Sequence, residues 1–242
     1  MLYVLLDTNV TAGYYLPRSL NSTKARERIA MIFDSSRSGE SEMFFYLPNF
    51  CVAETFSVFM KHSFGSWNSH VMKKGTIDTR IYNSLVQQFQ SDIHNGHFIY
   101  HYELSRYHVL GINLVAPVDH YFRFRRGKKR HVTPMGTFDH LIVSMGIHLN
   151  HIHGKDEVVV LTTDDRVSDI LSKCNSGLPA GTVRKLHLDR VEGLTGKRFE
   201  PETFPRCLNL KTATKAELEG VFSEWPLPVG NLPEDVYRYT KI

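Results

Sequence analysis

Apolar residues along the chain form short continuous runs at residues 2–6, 43–48, 97–102 and 157–163. Runs of this length, rich in β-branched and aromatic residues, predict strands that are buried within a sheet. The last of them, EVVVLTT, gives the strongest strand signal because valine and threonine fill most of it. The segment TVRKLHL at residues 182–188 predicts a further and final strand.

Between these runs, apolar residues recur every three or four positions, which is typical of amphipathic helices. The predicted helices cover residues 22–38, a segment that follows Asn49, and residues 77–94, 104–115, 137–151 and 165–174. We expect Pro117 to end the helix over 104–115, since proline lacks the backbone N–H that a helix interior uses. Strands that alternate with helices predict a three-layer α/β/α fold with a central parallel sheet.

The alternation is strongest over residues 1–190 and weakens afterwards, where prolines become frequent. We therefore predict one domain over residues 1–190, with a basic insertion at about 117–136. A C-terminal extension over 191–242 is expected to pack on the core and to carry one helix at 213–223. The length of 242 residues and the 42% share of hydrophobic residues suit a core of this size.

Composition also indicates where the protein works. No apolar run approaches the ~20 residues of a membrane span, and no basic segment precedes the first apolar run as it would in a signal peptide. The cysteines Cys51, Cys174 and Cys207 are odd in number and lack the spacing of a metal site. We expect reduced thiols in a cytoplasmic protein.

Positive charge is concentrated in one segment. The net charge is +4, and six basic residues lie close together in the sequence, namely Arg123, Arg125, Arg126, Lys128, Lys129 and Arg130. Without these six, the chain has 23 basic and 25 acidic residues. Such a patch favours a polyanionic partner, with Phe122 and Phe124 as stacking surfaces for bases, but a solvated basic loop explains it equally well.

Carboxylates occur where predicted strands give way to helices, which is the edge at which open α/β sheets bind ligands. Asp7 ends the first strand and Glu54 lies one turn into the helix after the second. Asp139 lies in the first turn of its helix, and Asp164 follows the strand at 157–163. Taken singly, each is explained as a helix cap, as a residue that favours the helix dipole or as a solvated side chain.

Taken together, these acids predict a cation site. Their neighbours in sequence are mostly apolar, and burial of an unpaired charge is costly. The flanking segments contain no lysine or arginine except Arg166. A hard divalent cation, which prefers oxygen ligands and keeps several waters, is therefore the most economical shared partner.

Four segments resemble, in this order, the acidic motifs of the PIN-domain family of nucleases: LLDTNV, VAETFSVF, TFDHLIVSMGIHL and VVVLTTDDRV. The resemblance covers roughly residues 1–190. Its most specific elements are the apolar strand that ends in Asp7-Thr8-Asn9 and the Thr162-x-Asp164 pattern after a β-branched strand. The chain is longer than the VapC-type toxins of the family, with extra residues at 62–75, at 117–136 and after 190.

The resemblance implies a hydrolase, namely an endoribonuclease that binds RNA and depends on Mg²⁺ or Mn²⁺. Asp7, Glu54, Asp139 and Asp164 would form its catalytic and metal-binding cluster, and Asp165 would replace or assist Asp164. Thr8, Asn9 and Thr162 would orient the cluster or contact phosphate. The basic residues Arg123, Arg125, Arg126, Lys128, Lys129 and Arg130 would attract the RNA. An antitoxin, another protein and a second copy of the chain remain open as partners, and no membrane is expected.

Other functions stay open at this point. The same fold could serve as an RNA-binding module without catalysis, as the toxin of a toxin–antitoxin pair, or as a metal-dependent phosphatase acting on small molecules. No phosphate-binding glycine motif and no nucleophile-elbow motif is present. His148, His151 and His153 lie close together in sequence, as a transition-metal site would require. His151 and His153 fall at the end of a predicted helix, however, where histidines commonly cap carbonyls.

Overall fold

A computed structural model of the chain describes residues 1–17, 20, 23–65, 77–94, 96, 98–125, 134–154, 156–190 and 203–232. For Phe124 and Arg125 it describes the backbone alone. All structural statements below concern these residues.

The fold is α/β, with a central parallel sheet flanked by helices, as the sequence predicts. Five strands form the sheet in the order β3-β2-β1-β4-β5. The strands are β1 (Leu2–Leu6), β2 (Met43–Pro48), β3 (Ile99–Tyr102), β4 (Val158–Thr162) and β5 (Arg206–Asn209). The predicted strands at 2–6, 43–48, 97–102 and 157–163 are thereby confirmed, with ends that shift by one or two residues.

The helices in the described ranges are α1 (Thr8–Tyr15), α2 (Lys24–Arg37), α3 (Asn49–Phe64), α4 (Thr79–His94), α5 (Arg106–Arg125), α6 (Thr137–His153), α7 (Asp165–Asn175), α8 (Ala180–Lys185) and α9 (Lys215–Phe222). None of these helices combines the length and the apolar character that crossing a bilayer would require.

The chain divides into two compact units that interleave along the sequence. The first unit contains Met1, Leu6–Tyr102 and the chain from Leu210 onward. The second contains Leu2–Leu5 and Glu103–Asn209. This division differs from the predicted boundary at residue 190, which remains a prediction.

The first unit has an aromatic core. Helix α3 packs on β2, β3 and α4, and α1 packs on α2 and α3. Phe33 stacks on Phe45 at 4.7 Å between ring centroids, and Tyr15 meets Phe89 edge to face at 5.1 Å. Ring pairs of this kind add to the gain from burial alone. The packing fixes α1, which begins directly after Asp7, and α3, which carries Glu54.

A buried arginine holds the C-terminal segment in this unit. Arg28 of α2 donates one hydrogen bond of 2.8 Å to the carbonyl of Leu210 and another of 2.6 Å to that of Ala213. Hydrogen bonds from a charged donor are stronger than those between neutral groups. The segment after residue 209 therefore packs on α2 and leads into α9.

The second unit is built around β4, which is buried along its whole length. Helix α6 packs on β4, α5 and α7, and α7 packs on β4 and β5. The approach of α6 is close at Gly146, where an added Cβ would lie 3.1 Å from Val160 and 2.9 Å from Pro205. This packing positions the starts of α6 and α7. Asp139 lies in the first turn of α6, and Asp164 is the residue that precedes α7.

Pro117 does not end the helix that precedes it, contrary to expectation. It lies inside α5, which runs from Arg106 to Arg125. An internal proline costs a helix roughly 3 kcal/mol. Leu114, Val115 and Val118 surround it in sequence and are almost completely buried, and α5 packs along α6. Their burial offsets the cost, at about 1.5–3 kcal/mol for each such side chain.

The predicted strand over residues 182–188 is wrong. This segment contains most of α8 and a turn in which His187 has a φ of 55°, a value that strands do not adopt. The last strand is β5, which lies in the segment predicted as an extension. β5 pairs in parallel with β4, with Leu161 opposite Leu208. Its four residues are too few to give a periodic signal.

Candidate acidic site

Asp7 lies between β1 and α1, at the first strand-to-helix junction of the chain. Its backbone is extended, with φ −81° and ψ 152°, and its side chain makes no capping hydrogen bond to α1. The residue is only 6% exposed. A role as an ordinary helix cap therefore does not explain this carboxylate.

Thr8 joins the start of α1 to Glu54 of α3. The Thr8 hydroxyl donates a hydrogen bond of 2.5 Å to Oε2 of Glu54. Thr8 is buried, Glu54 is half-buried, and Asn9 is exposed on the next position of α1. The contact fixes the direction of the Glu54 side chain.

Cys51 lies one turn before Glu54 and is fully buried. Burial raises the pKa of its thiol far above the ordinary value, a hydrogen bond with Thr8 lowers it in part, and the charges of Asp7 and Glu54 raise it further. The two carboxylates therefore act on the same thiol. Burial and both charges favour the protonated thiol, which is a poor nucleophile.

Asp139 and Asp164 lie on either side of one guanidinium nitrogen in the second unit. Nη2 of Arg166 is 2.6 Å from Oδ2 of Asp164 and 3.2 Å from Oδ2 of Asp139. Nε of Arg166 also donates to Oδ1 of Asp164 at 3.1 Å. The first turns of α6 and α7 thus aim two carboxylates at the same positive charge.

Both carboxylates also serve their own helices. Oδ1 of Asp164 accepts the backbone N–H of Arg166 at 2.7 Å, and Oδ2 of Asp139 accepts that of Gly136 at 3.0 Å. These bonds satisfy donors that a helix start leaves open. The hydrogen bond to Asp164 raises the pKa of Arg166, and the charges of Asp164, Asp139 and Asp119 add to the effect.

Arg166 supplies a positive charge to two carboxylates for which the sequence suggests a metal ion as partner. It was the single basic residue in the flanking segments, and in the structure it is the partner of Asp139 and Asp164. Its single positive charge balances one of the two negative charges, so these acids are not the unpartnered carboxylates that the sequence suggests. The prediction that all four acids meet around one cation remains a prediction.

Thr162 and Asp165 have distinct local roles at the end of β4. The Thr162 hydroxyl accepts the backbone N–H of Asp164 at 2.9 Å, which holds the turn that presents Asp164. Oδ1 of Asp165 accepts a hydrogen bond of 2.8 Å from Asn209 of β5. Asp165 is thereby tied to the neighbouring strand, which separates its role from that of Asp164.

Asp119 is an acidic residue that sequence reasoning missed. It is completely buried in α5, and its Oδ2 accepts the backbone N–H of Met135 at 2.8 Å and lies 3.3 Å from Nε2 of His140. Its Oδ1 accepts from Arg123 at 3.1 Å. Asp119 therefore fixes the segment that leads into α6. The i,i+4 spacing of Asp119 and Arg123 is typical of an ion pair on a helix. Because the predicted helix ends before Pro117, the prediction does not place these two residues on one helix.

The described part of the basic segment is already engaged. Arg123 is largely buried and pairs with Asp119 and with Asp169, whose Oδ2 lies 3.6 Å from Nη1 of Arg123. Nζ of Lys173 lies 5.0 Å from the ring centroid of Phe122. The side chains of Phe124 and Arg125, and the residues Arg126, Lys128, Lys129 and Arg130, lie outside the described residues.

Two of the three histidines at the end of α6 make ring contacts. Nδ1 of His148 lies 2.9 Å from Nε2 of the buried His108, and His153 stacks on Tyr3 at 3.6 Å between ring centroids. Within the residues that the structure describes, no group of three or more histidine, cysteine, aspartate or glutamate side chains is arranged to hold a metal ion. Mg²⁺ is commonly held by one or two carboxylates with several waters, an arrangement that needs fewer protein ligands.

Comparison of the chain with models of known protein families and with curated proteins found no match.

Proposed function

We propose that this protein is a cytoplasmic endoribonuclease that hydrolyses RNA with the help of Mg²⁺ or Mn²⁺. The observation that carries the proposal is the placement of Asp139 and Asp164, whose Oδ2 atoms face one positive charge at 3.2 Å and 2.6 Å. Two carboxylates at helix starts that converge on one cationic group provide oxygen ligands of the kind that a divalent ion prefers. The three free thiols agree with a reducing compartment.

The donor set suits a hard divalent ion, since every predicted ligand is a carboxylate oxygen. Asp139 and Asp164 would hold such an ion in the second unit, and Asp7 and Glu54 would hold one in the first. When bound, an ion of this kind lowers the pKa of a water molecule and stabilises charge on a phosphodiester. Asp165 accepts a hydrogen bond from Asn209, and Asp164 accepts hydrogen bonds from Arg166, so each of these two ligand candidates already has a protein partner.

The remaining residues of the site orient these acids. Thr8 holds the side chain of Glu54, and Thr162 holds the turn that carries Asp164. Asp119 fixes the chain ahead of α6 through the N–H of Met135. Carboxylates held in this way lose little conformational freedom when a substrate binds, which is the basis of preorganised catalysis.

RNA is the proposed substrate because the basic segment leads towards the start of α6, which carries Asp139. Arg125, Arg126, Lys128, Lys129 and Arg130 would neutralise phosphates, while Arg123 has a structural role through Asp119. Phosphate contacts of this type make binding strongly dependent on salt. The proposal therefore expects RNA binding to weaken as the salt concentration rises.

The test is cleavage of a mixed pool of single-stranded RNA by the full chain with Mn²⁺, with Mg²⁺ and with an excess of chelator. The proposal expects cleavage with either ion and none with chelator. RNA that binds but stays intact under all conditions would favour a binding module without catalysis. Hydrolysis of p-nitrophenyl phosphate faster than cleavage of RNA would favour a phosphatase.

A further inference from the structure

The first unit contains a groove whose walls come from α3, α4 and β3. Its volume is about 570 Å³, which lies within the ~300–1,000 Å³ of sites that bind small molecules. Val52 and Phe56 lie one turn apart on α3, and Ile93 comes from α4. These three side chains are half-buried. The groove therefore has an apolar floor.

The rim of the groove is polar and has no permanent charge. Gln90, Ser91 and His94 of α4 and His101 of β3 line it, and all four are exposed. Among the described residues, none that lines the groove is an acid, a lysine or an arginine. Amide, hydroxyl and imidazole groups both donate and accept hydrogen bonds. The lining thus suits an uncharged molecule with donors and acceptors along its edge.

The walls of the groove are held by contacts behind them. Asp92 lies in the same turn of α4 as the polar rim. Its carboxylate accepts a hydrogen bond of 2.6 Å from Tyr15 of α1 and pairs with Arg37 of α2. The fully buried Phe89 meets Phe56 edge to face at 5.1 Å between ring centroids. A groove held in this way binds a ligand at a small cost in conformational entropy.

We infer that this groove binds a single unpaired base of RNA. The inference rests on the proposed function, which makes RNA the substrate, and adds a site for one of its bases. Nucleobases are flat and uncharged, and proteins bind unpaired RNA bases by stacking on aromatic or histidine rings and by hydrogen bonds to the base edge. Phe56, His94 and His101 supply the rings. Gln90 supplies an amide that can both donate to and accept from the edge of a base.

The experiment follows ¹H–¹⁵N correlation spectra of the full chain, labelled with ¹⁵N, during titration with adenosine, guanosine, cytidine and uridine in turn. Excess chelator is present throughout. Nucleosides carry a base without a phosphate, so their binding needs neither a metal ion nor the basic segment. The inference expects at least one nucleoside to bind and to shift the amide signals of Gln90, His94 and His101. Absence of binding by all four would overturn it, as would shifts confined to other residues.

Two variants of exposed groove residues test the assignment without disturbing the core. His101→Ala is expected to weaken nucleoside binding by at least about fivefold, the lower end for loss of one stacking contact. Gln90→Ala should weaken it by about two- to tenfold, the effect of one hydrogen bond. Thermal unfolding checks that both variants are folded.

The matched control is Gln87→Ala, which removes an exposed glutamine one turn earlier on α4 and outside the groove lining. Wild-type affinity is expected for this variant. Wild-type affinity in both His101→Ala and Gln90→Ala would overturn the inference. An equal weakening in Gln87→Ala would overturn it as well, because the effect would then not belong to the groove.

The outcomes distinguish this inference from the proposed function. Nucleoside binding that the groove variants weaken, without cleavage of RNA under any metal condition, would uphold the base site and reject the ribonuclease. Metal-dependent cleavage of RNA without nucleoside binding in the groove would uphold the ribonuclease and reject the base site. Absence of both would reject both.

Discussion

The hydroxyl of Thr8 donates a hydrogen bond of 2.5 Å to Oε2 of Glu54, which joins the first residue of α1 to the middle of α3. The two residues are far apart in sequence, so the contact exists because α1 packs on α3. Thr8 is buried and Glu54 is half-buried. This bond is short because its acceptor is a carboxylate, and bonds of this type are stronger than those between neutral groups.

Thr8→Val is expected to lower the proposed metal-dependent RNA cleavage by about 10- to 100-fold, the usual effect of losing a residue that orients a metal ligand, if Glu54 binds the metal as proposed. Valine keeps the shape of threonine and removes the donor, so Glu54 loses its fixed direction. Thr8→Ser keeps the donor and should retain most of the activity. The measurement is kcat and KM on one RNA substrate. The exposed Thr79→Val on α4 serves as control, and wild-type activity in Thr8→Val would reject the role of this bond.

Asp119→Asn is expected to destabilise the protein by about 3 kcal/mol, because it removes the charge of a buried carboxylate and leaves Arg123 partly uncompensated. The amide cannot accept from Arg123, Met135 and His140 as the carboxylate does. Urea unfolding at neutral pH measures the change. Asp189→Asn, an exposed aspartate in the same unit, controls for loss of one negative charge. Equal stability of Asp119→Asn and wild type would show that the carboxylate is not needed.

The pair of His108 and His148 predicts a loss of stability in acid. His108 is only 1% exposed. The backbone N–H of Ser105 donates to its Nδ1 at 2.9 Å, so Nε2 carries the proton and donates to Nδ1 of His148. Burial and then the nearby His148 lower the pKa of His108 to about 4. Burial and then His151 lower the pKa of His148.

The folded-state pKa of His108 lies below the ordinary value of 6.5, so the unfolded chain binds a proton that the folded chain does not. Stability is full above the unfolded pKa and falls as the pH drops from 6.5 towards 4. We expect a loss of about 2 kcal/mol from this group, measured by urea unfolding at about pH 7.5 and about pH 4.5. His108→Gln should lose less on acidification, and the exposed His94→Gln should lose as much as wild type. An equal loss in His108→Gln would contradict the assignment.

The sequence predicts those strands that are buried and therefore consist of continuous apolar residues. β4 is an example, since it is buried along its length and consists mainly of valine and leucine. β5 carries the short segment RCLN, and its place in the sheet depends on pairing with β4, which no local pattern encodes. Pro117 was misjudged because the packing of α5 on α6 outweighs a local preference against proline.

The sequence identified the four candidate acids, but it did not predict most of the residues with which they form hydrogen bonds and ion pairs. Asp7, Glu54, Asp139 and Asp164 stood out because polar residues at the ends of apolar segments are conspicuous. The contact of Arg166 with Asp139 depends on the packing of α6 beside α7, and the contact of Asp119 with Met135 depends on the path of the chain ahead of α6. Such contacts arise from tertiary structure and leave no pattern of spacing.

The most direct measurement is single-turnover cleavage of a labelled single-stranded RNA at saturating Mn²⁺ by wild type, Asp7→Asn and Asp164→Asn. Asp189→Asn is the control, and thermal unfolding checks that each variant is folded. The account predicts a fall of at least about 100-fold for Asp7→Asn and for Asp164→Asn, because each loses a carboxylate that is proposed to bind the metal. For the control it predicts a change within about twofold. Cleavage at the wild-type rate by folded Asp7→Asn and Asp164→Asn would contradict it.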